Sequence, residues 1–160
     1  TVGIIDGNFR LALEETGMGY GLEVDMVRQA HEMELLTCPY VFDVEQAVDM
    51  TKAGADIIVP HMGITTKGHG GGSTAISLDE AVRRVAAMLE AAKRVNPDVL
   101  VLCHGGPIAT PEDVRYVVDH VSGLHGFFGG ASNDVLATEP AMMASANDLK
   151  AISVTSQAQR

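Results

Sequence analysis

The chain has 160 residues, 46% of them apolar and 20% charged, which suits one globular domain over residues 1–160 and is too short for two. Its formal net charge of −10 excludes nucleic acid and anionic lipid as main partners, and no apolar run is long enough to span a membrane. A cytoplasmic location follows, with Cys38 and Cys103 in apolar runs expected as buried reduced thiols rather than a disulfide.

In chain order, Val2-Gly3-Ile4-Ile5 follows Thr1 directly and reads as the stub of a strand entered midway, so strands upstream are expected. A helix over Gly21 to Leu35 would turn Leu22, Met26, Ala30 and Met33 inward. The run Leu36 to Phe42 reads as a strand ending at Asp43, which forms a capping-box spacing with Gln46. The helix it opens carries Ala47, Val48 and Met50 and stops at Gly54. A second strand, Ala55 to Met62, leads into a glycine-rich loop. Ser77 and Glu80 then open a helix with Val82, Val85, Ala86 and Leu89 on its buried face, closed by Asn96-Pro97.

Asp98 to His104 is the clearest strand. It is apolar without alternation, as strands covered on both faces are. Thr110-Pro111 starts a helix with the stripe Val114, Val117, Val118 and Val121. Leu124 to Phe128 is the last strand, followed by a polar stretch and a helix near Glu139 to Ile152. Repeated strand–helix alternation marks a parallel α/β fold, and both a doubly wound sheet and a barrel satisfy it.

Ligands of such folds sit beyond the carboxyl ends of the strands. There the sequence places Asp6, His61, His104-Gly105-Gly106 and Gly129-Gly130-Ala131-Ser132. Consecutive glycines let backbone N–H groups approach an anion, or simply make tight turns. Two glycine pairs at adjacent strand ends point to a phosphate, with Ser132 adding a hydroxyl. His61 and His104 each end an apolar strand. They read as hydrogen-bonded core residues, as metal ligands, or as general acid and base at one pocket, and no HxH or CxxC spacing supports zinc. Lys67 is the cation of the loop Thr65 to Thr74, which reads as a lid over a bound anion. In Leu13 to Gly21, Glu15 sits beside a glycine-rich turn. With Asp6 it would bind Mg²⁺ or activate water, or it lies at a solvated helix end.

The segments Thr1 to Gly7, Leu13 to Gly21, Ala53 to Gly63 and Val101 to Ile108 together resemble the phosphoenolpyruvate hydrolase-like TIM-barrel family. That family also forms the C-terminal domain of plant tobamovirus-resistance type proteins. The resemblance implies the C-terminal half of a parallel (β/α)8 barrel, from strand 4 or 5 to strand 8. The missing strands would come from an N-terminal barrel half or from a second copy in a homo-oligomer. It implies a small phosphorylated or carboxylated anion as ligand. Catalysis would fall to His61, His104 and Glu15, and a non-catalytic sensing or assembly domain is the alternative. Pro60 stands where the family has Ala, and a bend at that strand end is expected.

Overall fold

The computed structural model describes residues 1–66 and 76–151, apart from the side chains of 134–137. Lys67 and most of the glycine-rich loop lie outside the described residues. Four strands, β1 (Tyr40–Val41), β2 (Ile57–Pro60), β3 (Leu100–Cys103) and β4 (Gly126–Phe127), form one parallel sheet in the order β1-β2-β3-β4. Strands adjacent in sequence are therefore adjacent in space, and each connection is a helix. A doubly wound sheet reverses its strand order at a switch point. This one does not, and it forms an arc of a (β/α) barrel.

The helices are α1 (Gly7–Glu15), α2 (Gly21–Glu32), α3 (Val44–Lys52), α4 (Leu78–Val95), α5 (Pro111–His120) and α6 (Ala131–Lys150). Their starts are set locally. Asp43, Ser77 and Thr110 each accept a backbone N–H from the third residue on, and Thr110 completes a capping box with Asp113. Alternate strand residues Val41, Ile58, Val101 and Cys103 face outward and are fully buried in one core with Ala47, Met50, Val85 and Val117. The other set, Tyr40, Val59, His61, Leu102 and His104, lines the inner face, where Leu100 stays 43% exposed.

Several expectations change. Val2–Ile4 is a 3-10 turn capped by Thr1 and not a strand stub; Gly3 lies so close beneath the Phe42 ring that a Cβ would meet it at 2.3 Å. α1 was foreseen only at its end, where one reading put Glu15 at a solvated helix end, and that is where it lies. In α2, Leu22, Met26 and Met33 are exposed, and Val27 is the one buried residue, because the helix meets the rest of the chain along a narrow stripe. Val118 is exposed at the edge of the α5 stripe, and Cys38 is an exposed free thiol. Cys103 is buried as expected, which pushes its thiol up to about 11. α6 begins at Ala131 rather than near Glu139. Pro60 does not interrupt the ladder: His61 N–H bonds the Val41 carbonyl at 2.8 Å and His104 N–H bonds the Pro60 carbonyl at 3.1 Å.

Candidate functional site

β2 and β3 run in register to their last residues, so His61 and His104 pair directly across the ladder. Their ring centroids are 4.7 Å apart at 68°. Tyr40 joins them from β1. Its ring is stacked on His104 at 5.0 Å and 17°, and stands edge-on to His61 at 4.8 Å and 84°. Phe42 lies 4.9 Å from His61, and Phe128 stands edge-on to His104 at 5.7 Å. The sequence reading found the two histidines and missed the three aromatics. Their signal was parity, since Tyr40 on β1 and Phe42 just beyond it fall two residues apart on the face that His61 occupies just beyond β2.

Hydrogen bonds assign the two tautomers. His104 Nδ1 lies 2.7 Å from the Phe128 carbonyl oxygen, which only accepts, so Nδ1 carries a proton and in the neutral ring Nε2 is the basic nitrogen. His61 Nδ1 accepts the Gly63 N–H at 3.1 Å, so its proton sits on Nε2. Burial, reinforced by the neighbouring His104, lowers the His61 pKa to about 4 and keeps it neutral. One imidazole thus offers a base and its neighbour a neutral donor.

The glycine turns have separable roles. Gly105 and Gly106 adopt φ of +75° and +57°, and a Cβ on Gly106 would meet the Met62 carbonyl oxygen at 2.2 Å. The Gly106 N–H is already given to the Gly63 carbonyl at 2.7 Å, which corrects its expected place in an anion cradle. Gly130 caps α6 and brings the helix start against His104, where a Cβ would lie 3.2 Å from Cε1. The N–H groups of Ala131 and Ser132 open the helix there, with no acceptor inside it. The Ser132 side chain is buried and lines a separate groove with Phe127, Val114 and Arg115, away from the histidine pair. Gly129 turns toward Asn133, whose amide a Cβ would meet at 2.1 Å.

A polar cleft of about 680 Å³ opens beside His61, lined among others by Asp6, Arg10, Glu14, Asp43 and Gln46. Glu15, expected to act here, is exposed at the end of α1 and does not line it. Its neighbour Glu14 does, held by Arg10 at 2.7 Å and by the Tyr20 N–H at 3.2 Å; the Arg10 bond is the main reason its carboxyl is held below the usual range. Asp6 is exposed and caps α1 through the Gly7 N–H at 2.7 Å. Among the described residues no three His, Cys, Asp or Glu side chains converge on a metal position, so Asp6 and Glu15 belong to no three-ligand group. Of the remaining histidines, His31 packs over Gly54, His120 stacks on Tyr116, and His125 Nδ1 accepts the Val101 N–H at 3.1 Å.

A parallel sheet in unbroken strand order with helices on its outer face defines the class: a (β/α)-barrel protein, here with two histidines and the glycine turns gathered at the carboxyl ends of its strands. The chain belongs to the phosphoenolpyruvate hydrolase-like family, whose sequence pattern matches residues 1–152. It is 55% identical over 154 residues to the ToMV susceptible protein tm-1(GCR26) of Solanum lycopersicum, covering 96% of this chain and 20% of that protein. It is 54% identical over the same length to the ToMV resistance protein Tm-1(GCR237) of that plant, with the same coverage. It is 33% identical over 138 residues to the putative transcriptional regulatory protein y4pA of Sinorhizobium fredii, covering 86% of this chain and 22% of that one. The chain therefore spans about a fifth of the length of these relatives. No described helix is long and apolar enough to cross a membrane.

Proposed function

We propose that this chain supplies the proton-transfer half of a site that hydrolyses a small phosphorylated carboxylic acid of the phosphoenolpyruvate type. The observation that carries the reading is the pair of opposed tautomers. His104 Nε2 takes a proton from water as the water oxygen bonds to phosphorus. The bond from phosphorus to the enol oxygen breaks, and the His61 Nε2–H hydrogen-bonds the developing enolate until it takes up the proton that His104 drew from water, which returns both rings to their starting state. The N–H groups at the start of α6, beside His104, hold the phosphate.

The test is phosphate and pyruvate release from phosphoenolpyruvate by the full-length protein, with and without Mg²⁺. His104→Ala should lower kcat by about a hundredfold, the usual size of a lost general base. Turnover unchanged by His104→Ala and by His61→Asn would sink the reading.

The one-sided sheet favours a second reading, ligand sensing or assembly without turnover. We propose with it that a second parallel β/α arc covers the inner face, from an N-terminal barrel half or another copy. The unpaired thiols fit a reducing compartment such as the cytoplasm. Near-equal identity to a susceptible and a resistance protein fits a role common to both. Saturable phosphoenolpyruvate binding with no product would favour this reading over the first.

A further inference from the structure

Tyr40 joins two parts of the molecule that the hydrolytic reading leaves unconnected. Its ring lies flat on His104 at 5.0 Å and edge-on to His61 at 4.8 Å. Its carbonyl accepts the Tyr20 hydroxyl at 2.5 Å. The Tyr20 N–H is held in turn by Glu14 Oε1 at 3.2 Å, and the same oxygen bonds Arg10 Nε at 2.7 Å. Arg10 Nη1 closes the path on the Val2 carbonyl at 2.7 Å. The glycine before Tyr20 is part of this clamp: a Cβ on Gly19 would lie 1.6 Å from Glu14 Oε2. Leu13 to Gly21, conspicuous in the sequence for its carboxylates and glycines, therefore ends on the backbone of the residue that packs both imidazoles.

Among the described residues the His104 ring is tethered by its Nδ1 hydrogen bond to the Phe128 carbonyl, and a ring held at one atom still turns about that bond. A flat ring on its face and the Phe128 edge beside it restrict that rotation and fix where Nε2 points. We propose that Tyr40 is a positioning residue for the histidine pair, and that the Glu14–Tyr20 clamp holds it in place before ligand arrives. This rests on the proton-transfer reading for its kinetic consequence, but not for its structural one.

The experiment uses the full-length protein with Tyr40→Leu, Tyr40→Phe and Tyr20→Phe. The imidazole resonances of His61 and His104 are recorded without substrate, and kcat and KM for phosphoenolpyruvate are measured separately. Tyr40→Leu should shift both sets of resonances and lower kcat about ten- to a hundredfold at unchanged KM. Tyr40→Phe, which keeps the ring, should restore both readouts, and Tyr20→Phe should fall between. Unshifted resonances in Tyr40→Leu, or equal damage from Tyr40→Phe, overturns the proposal. If the wild type shows no turnover while Tyr40→Leu still shifts the resonances, positioning stands and hydrolysis fails. If Tyr40→Leu does not fold, Tyr20→Phe decides alone: it leaves the ring in place, and unshifted resonances there overturn the proposal.

Discussion

His61 shows how one side chain ties the site to the stability of the chain. Its pKa falls from 6.5 to about 4 because its ring is partly buried and faces His104. A group whose folded pKa is depressed binds fewer protons when folded than when unfolded. Its contribution to stability is full above about pH 6.5, is lost as pH falls toward 4, and changes no further below that. Discounted for solvent on its open side, the loss is about 2 kcal/mol. His61→Asn should flatten the dependence of Tm on pH between those limits, as thermal melts across the range would show. A second residue-scale outcome concerns Gly106, whose φ of +57° and contact with the Met62 carbonyl leave no room for a side chain. Gly106→Ala should cost more than about 2 kcal/mol in urea unfolding. The sequence located His61 and His104 because strand ends are legible from apolar runs. It chose Glu15 over Glu14 because the choice depends on the phase of α1 and on a turn at Gly17 to Gly19, neither of which periodicity reveals.

Helices whose limits are set by their own residues were readable, and those set by distant packing were not. Asp43 and Ser77 cap as their spacing implied, and Thr110 starts its helix as the following Pro111 implied, since a cap needs only the next three residues. Thr110→Ala should therefore lower stability by about 1 kcal/mol, seen as a shifted urea midpoint at unchanged m. α2 went the other way. Its apolar residues Leu22, Met26 and Met33 point to solvent because the side that meets the chain is that of Val27 and the partly buried Val24. α6 extends through Pro140, where the ring removes one backbone hydrogen bond, so a helix start near Glu139 was a natural local reading. What draws the start back to Ala131 is the turn at Gly129-Gly130, which sets the helix against His104.

At the scale of the whole molecule, strand–helix alternation sufficed for a parallel sheet, and its unbroken strand order makes that sheet a barrel arc. What covers the inner face is not written in any local pattern. Helices bury Val41, Ile58, Val101 and Cys103 of the outer set and leave Phe127 partly covered, while on the inner set Val59 is buried, Leu102 partly covered and Leu100 43% exposed. β4 presents an edge with no strand partner, whereas on the free edge of β1 the Tyr40 carbonyl already accepts the Tyr20 hydroxyl, and an open edge beside an apolar face pairs with another sheet. The 160-residue chain on its own should therefore sediment as a dimer or larger species and bind a dye specific for apolar surface. Leu100→Lys places a charge on the inner face without touching Val41, Ile58, Val101 or Cys103 on the outer one. It should shift the chain to monomer with its helical circular dichroism intact. A wild-type monomer that binds no dye would show that the arc is stable with its inner face open, and would remove the need for a covering half.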